Sequence, residues 1–314
     1  MKDELVTVIG GGGFVGRYVV QALLKRGARI RVAGRDPRKA WFLRTQGGVG
    51  QTQFVATDIT RGDSIARAVE GAGAVINLVG VLAGNFERAH VDGARAVALA
   101  AAAAGAEALV HVSAIGADPA SPSQYGRSKG DGEAAVRDAF AGATIVRPAI
   151  VFGREDAFIN RFAGMIAKTP VVPVVRADVK FQPVFVGDVG AAVAAIAAAP
   201  GEHAGRVYEL GGPDILSMGE IIRWIAATIG RTPTIVEIPD FAGSLIARGG
   251  FLPGAPITWD QWLMLQRDNV VANDAHGLAA LGVVATPLAA VAPEWLVRFR
   301  RQGRFGRRAA DTTA

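Results

Sequence analysis

Apolar positions in the first half of the chain follow two alternating rhythms. Short, nearly continuous apolar runs at residues 5–10, 28–33, 53–56, 74–79, 108–113 and 143–147 have the length of buried strands. Between them, helical spacing runs from a glycine turn to about Arg26, then over 63–70, 87–104 and 125–140, with Gly27 and Gly105 as stops. Strands separated by helices imply right-handed crossovers and a parallel sheet covered on both faces. The fold class expected is therefore α/β, a Rossmann-type doubly wound sheet over residues 1–150.

After Pro148 the rhythm loosens. Helical patterns cover 156–168, 189–199 and 218–229, extended segments cover 170–173 and 206–210, and Pro- and Gly-rich loops fill 231–257. This predicts a smaller, irregular C-terminal α/β domain over 151–297 that partly packs back on the first.

Charge changes the picture only at one end. The chain carries 34 Lys+Arg against 28 Asp+Glu, a formal charge of +6. Residues 298–314 hold six arginines and one acid, which is +5, so the other 297 residues (28 bases, 27 acids) carry only +1. A body so balanced offers no broad footprint for nucleic acid. The basic segment 298–314 reads as a flexible tail, either a solubilising end or an anchor to anionic lipid or an acidic partner face. Absence of cysteine excludes a disulfide scaffold and a thiolate site. His90, His111, His203 and His276 lack metal-ligand spacing, so no metal site is expected. No signal-peptide pattern opens the chain, and no apolar run is long enough to span a bilayer.

The chemistry begins at Gly10-Gly11-Gly12-Gly13-Phe14-Val15-Gly16, between the first strand and the first helix. Gly10, Gly13 and Gly16 permit a tight turn, close approach of backbone to a pyrophosphate, and tight packing of helix on sheet, while the helix terminus offers N–H donors. This is the expected dinucleotide site. The second strand ends Gly34-Arg35, with the first acid, Asp36, one position late. Arg35 is placed for a 2′-phosphate, with Arg38 and Lys39 behind it, which points to NADP(H) rather than NAD(H). Asp58 is a candidate for the adenine, and Asn77 to Val79 for a wall along the cofactor's middle.

A second constellation follows. Ser113 ends the fifth strand, and Tyr125 and Lys129 stand four apart on one helix face. An ammonium there acts on the phenol electrostatically and can hold a ribose. Tyr125 is then a candidate general acid/base, with Ser113 orienting a carbonyl or hydroxyl. Alternatively Tyr125 and Lys129 simply hydrogen-bond the cofactor.

Together these motifs resemble the extended, atypical short-chain dehydrogenase/reductases over about residues 5–300. Narrower wording lies in Gly13-Phe14-Val15-Gly16-Arg17-Tyr18-Val19-Val20, Asn77-Leu78-Val79-Gly80, Val146-Arg147-Pro148 and Gln182-Pro183-Val184-Phe185-Val186-Gly187-Asp188-Val189. It is similar to the NADPH-binding accessory subunits of respiratory complex I (NADH:ubiquinone oxidoreductase) and their bacterial relatives. That resemblance implies a tightly held, structural NADPH, contacts from Phe14, Val15 and Pro148 to it, and docking on the peripheral arm near the quinone site. It further implies a place on the cytoplasmic face of the inner membrane. Enzymes of the superfamily usually carry Asn-Val-x-Gly where this chain has His90-Val91-Asp92-Gly93, and the loop 81–88 is short. These departures favour the structural role, while the intact Ser113, Tyr125 and Lys129 keep an active oxidoreductase or epimerase as the alternative. His90 itself reads as a capping or surface residue. The aromatic stretch 251–265 reads as core of the small domain, with a docking or membrane-facing surface as its alternative.

Overall fold

The computed structural model describes residues 1–250 and 257–305, which fall into two compact units. In the first, six apolar runs form strands β1 (Leu5–Ile9), β2 (Arg29–Gly34), β3 (Thr52–Ala56), β4 (Ala74–Asn77), β5 (Ala108–Val112) and β6 (Thr144–Pro148). Helices α1 (Phe14–Lys25), α2 (Gly62–Val69), α3 (Gly93–Ala103) and α4 (Gln124–Ala139) alternate with them. Two later elements join this unit, helix α5 (Val186–Ala198) and strand β7 (Val207–Leu210). The strand order is β7-β6-β5-β4-β1-β2-β3, and every pairing is parallel. Because β1 lies between β2 and β4, the chain leaves β1 in opposite directions, creating a switch point whose crevice opens at the strands' carboxyl ends.

Burial explains why these runs are strands. Val6, Val8, Val75, Ile76, Leu109, Val110, Ile145 and Val146 are fully or almost fully buried, as a sheet covered on both faces requires. The Ala-rich α3 presents Ala94, Val97, Ala98 and Ala101 to that core, and small side chains let it lie close to the sheet.

The chain does not divide at a single cut near residue 150. Segments Val186–Leu210 and Val271–Ala285 belong to the first unit, because α5 packs on α1 and β7 extends the sheet beyond β6. The second unit takes the described residues of Ala149–Phe185, Gly211–Val270 and the segment that starts at Thr286. Its core is built from Phe152, Ile159, Val172, Ile221, Ile222, Ile225 and neighbouring residues. Helix Met218–Thr228 starts at a reciprocal capping box between Ser217 and Glu220.

Three sequence expectations change. The stretch 231–257 is not all loop, since Thr234–Ile238 is a strand paired in parallel with Val171–Val175, and Asp240–Arg248 is a helix. The aromatic stretch divides, with Trp262 buried beside Ala247 and Ile257 while Trp259 is exposed, and residues 251–256 lie outside the described residues. The basic segment begins docked: Arg298 donates to Asn160 Oδ1 at 2.7 Å, and Arg300 donates to the Thr228 carbonyl at 3.2 Å. Its last residues, 306–314, are outside the described set.

Candidate functional site

At the switch point, β1 ends in Gly10, whose φ of +84° suits glycine and turns the chain away from the sheet. Gly10 N–H donates to the Ala33 carbonyl at 2.8 Å, and Gly13 N–H donates to the Gly10 carbonyl at 2.9 Å. A Cβ at Gly16 would collide with the Gly10 carbonyl oxygen and the Gly11 backbone. Close contact of turn and helix therefore requires glycine there. Helix α1 begins at Phe14 with no side-chain cap and no acid in its first turn. Its first-turn N–H groups carry the helix's partial positive charge at the crevice, and Phe14 and Val15 are half-buried beside it.

The carboxyl end of β2 brings Gly34 and an exposed Arg35 to the same edge. Asp36 caps the 3₁₀ helix Pro37–Gln46, and Arg38 closes on it as an ion pair at 3.0 Å. Arg35 to Arg38 line an open cleft of about 810 Å³ that continues past Trp41 and Arg44 to β3. Asp58, just past β3, accepts from the Thr60 N–H at 2.9 Å and the Thr60 hydroxyl at 2.8 Å. Those two bonds hold its carboxyl below the usual range, with smaller help from Arg88 and Arg35.

Asn77 ends β4 and turns inward. Its Oδ1 accepts the Val79 N–H at 3.1 Å, and its Nδ2 lies 3.2 Å from His111 Nδ1 on β5. Asn77 thus shapes the turn from Leu78 to Gly80, which lies against Gly10, and leaves Val79 half-buried at the crevice. At the other side Pro148 closes β6, and its carbonyl accepts the Ile115 N–H at 3.1 Å.

Ser113 follows β5 directly and donates its N–H to the Val146 carbonyl at 2.7 Å. Its buried Oγ has no hydrogen-bond partner among the described residues. Helix α4, capped by Ser123, sets Tyr125, Lys129 and Glu133 on one face. Lys129 is buried, donates to the Val112 carbonyl at 3.3 Å beside Ser113, and lies under Gly80. Burial lowers its pKa to about 8, offset in part by Glu133. Burial also raises the Tyr125 phenol to about 12. Tyr125 is thus a proton-bearing donor across the neutral range, and a poor base in this state.

His90 departs from the capping or surface place expected from the sequence. It is buried, not a surface cap, because one π-helical turn over Glu87–Asp92 precedes α3 and swings it inward. Its Nε2 accepts the Val81 N–H at 2.9 Å, so the proton sits on Nδ1, which faces Ser128 Oγ at 2.8 Å. Ser128 in turn donates to the Tyr125 carbonyl at 2.9 Å. Phe86 stacks on the imidazole at 5.5 Å, and Tyr125 meets it edge-on at 5.6 Å. Desolvation, with the Lys129 charge second, lowers the His90 pKa to about 4, so the ring is neutral. The only trace in the sequence was His90-Val91-Asp92-Gly93 in place of an asparagine motif.

A parallel sheet in this order, a glycine turn at its switch point, and Ser113, Tyr125 and Lys129 around the end of β5 define an NAD(P)-binding Rossmann fold of the atypical short-chain dehydrogenase/reductase class. The chain belongs to the NmrA-like family, whose profile matches residues 2–245. It is 36% identical to NADH dehydrogenase [ubiquinone] 1 alpha subcomplex subunit 9, mitochondrial, of Rattus norvegicus, over 96% of this chain and 81% of that protein. It is 31% identical to a ceramide reductase of Caulobacter vibrioides, over 80% of each chain. Among solved structures it resembles an NADPH-dependent quinone oxidoreductase of Escherichia coli complexed with NADPH. That match has a TM-score of 0.76 and 22% identity, covering 93% of this chain and 99% of the other.

Proposed function

We propose that the chain is an NADP(H)-binding accessory subunit of respiratory complex I whose cofactor is mainly structural. The observation that carries this reading is its similarity to a complex I subunit along nearly its whole length. Two structural features suit a dinucleotide. Glycine at position 16 lets helix α1 lie directly on the turn that opens at Gly10, which brings the helix N–H groups to the crevice, and the buried Ser113 Oγ lacks a partner among the described residues. The N–H groups opening α1 hold the pyrophosphate, and Arg35 takes the 2′-phosphate. Asp58 meets the adenine with the carboxylate oxygen that Thr60 leaves over, and Val79 and Pro148 line the cofactor's path. Tyr125 and Lys129 bond its ribose. The partners are peripheral-arm subunits near the quinone site, on the cytoplasmic face of the inner membrane, with the terminal arginines against anionic lipid.

A second reading is favoured by the ceramide reductase relative and the intact Ser113, Tyr125 and Lys129. NADPH, when bound, supplies a hydride. Ser113 would orient a carbonyl, Tyr125 would donate the proton from its phenol to the carbonyl oxygen, and Lys129 would hold the phenolate left behind. Burial keeps the phenol protonated across the neutral range, so the proton that this reading needs is on Tyr125 before the hydride moves.

Deletion and complementation separate the two. Gly13 is an exposed helix cap in an extended conformation, and a Cβ there would press on the Gly10 carbonyl oxygen at 3.2 Å, so Gly13→Val blocks the pyrophosphate at some cost to the turn, and its folding is checked by thermal melting beside the complementation. Loss of complex I assembly on deletion, rescue by Tyr125→Phe, and no rescue by Gly13→Val are the expected results. Unaffected complex I in the deletion strain would rule out the accessory role, and NADPH-dependent carbonyl reduction lost in Tyr125→Phe would establish the reductase.

A further inference from the structure

The direction in which Asp36 points decides what the end of β2 recognises. A carboxylate turned toward a ribose accepts from a free 2′-hydroxyl and repels a 2′-phosphate. Here Arg38 engages the carboxylate at both oxygens. Its Oδ1 accepts the Arg38 backbone N–H at 3.2 Å, capping the 3₁₀ helix, and accepts Arg38 Nε at 3.0 Å. Its Oδ2 accepts Arg38 Nη2 at 3.4 Å. Pro37 at the first position of that helix fixes the backbone that keeps Asp36 in the cap. Arg35 is exposed and makes no ion pair among the described residues, yet it lines the same cleft as Asp36 and Arg38.

The Arg38 and Asp36 side chains are 75% and 32% exposed, so their pairing adds little to the stability of the fold. Its consequence is local. It offsets a negative charge beside Arg35 and engages both carboxylate oxygens, leaving one lone pair, on Oδ2, for a ribose hydroxyl to compete for.

Resting on the NADP(H) reading, we propose that Arg38 is a specificity-determining residue that acts through Asp36. By clamping that carboxylate it masks an acceptor suited to NAD(H) and leaves Arg35 to read the 2′-phosphate. Arg38 itself does not touch the phosphate. This accounts for an acid standing one position past its usual place in a chain whose neighbouring residues suit the phosphorylated nucleotide.

The test is a double-mutant cycle on the full chain, with calorimetric affinities for NADP⁺ and NAD⁺ in wild type, Arg38→Ala, Asp36→Asn and the double variant. Asparagine caps a helix about as well as aspartate, so Asp36→Asn leaves the 3₁₀ start intact. Arg38→Ala is expected to lower the NADP⁺-to-NAD⁺ affinity ratio about fivefold, the most that an exposed ion pair can mask. Adding Asp36→Asn is expected to restore most of that ratio. An unchanged ratio in Arg38→Ala overturns the proposal. So does a loss that persists in the double variant, which would mean Arg38 contacts the phosphate directly. A wild-type chain that binds neither nucleotide overturns the dinucleotide reading as well, which distinguishes the two failures.

Discussion

His90 shows how much one buried side chain constrains. Its Nε2 holds the Val81 N–H and its Nδ1–H faces Ser128, so the neutral ring ties the short loop after β4 to helix α4. Protonation breaks that tie, since a cationic ring cannot accept from a backbone N–H. The folded pKa, about 4, lies below the ordinary 6.5. Between those values the unfolded chain binds the extra proton and the folded chain does not. Stability contributed by neutral His90 is therefore fully present above pH 6.5 and is lost as pH falls toward 4, by roughly 3 kcal/mol. Urea titrations at pH 7 and pH 4.5 should show a smaller loss in His90→Gln than in wild type. Equal losses would place His90 outside the pH response. Gly10, Gly13 and Gly16 were legible from spacing, because the backbone needs no other residue to make that turn. His90 was not, because a π turn is one added residue in a pattern that still reads as helix.

Among elements, α4 carries the most. Tyr125, Lys129 and Glu133 follow one another at helical spacing down its buried face, and the lower end is fixed by charge. Arg147 on β6 grips Glu133 at two points, 2.9 Å and 2.7 Å, and reaches Glu209 on β7 at 3.4 Å. Glu133 is 3% exposed, so removing Arg147 strands a buried carboxylate. Arg147→Ala should cost about 3–5 kcal/mol in chemical unfolding. The paired change to Arg147→Met with Glu133→Leu should recover only part of it, because Glu209 and the buried Lys129 then lose these counter-charges. A near-neutral Arg147→Ala would show that solvent replaces the pair. The Tyr-x-x-x-Lys spacing put two of these residues on one face from sequence alone, but the pairing across 14 positions to Arg147 needs the sheet register. Elements of the second unit were harder to read. Strand Thr234–Ile238 is largely solvent-facing, and the nine-residue helix after it is bracketed by Pro239 and Gly249-Gly250. Short elements between breakers leave little periodicity to find.

At the scale of the whole molecule, the charge imbalance lies at one end of a nearly neutral body. The start of that basic segment is docked through Arg298 and Arg300. No helix among the described residues is long and apolar enough to cross a membrane. The sequence pattern shows a helix and a strand near 189–210 and a domain that packs back on the first, but not that α5 and β7 join its sheet, because that sheet begins more than a hundred residues earlier. The most direct measurement is the amount and redox state of nucleotide bound to this chain in purified complex I during NADH:ubiquinone turnover. About one NADPH per chain, still reduced after many turnovers, is the expected result. Complex I that lacks this chain, or a bound nucleotide that is absent or oxidised in step with turnover, would contradict a structural cofactor in an accessory subunit.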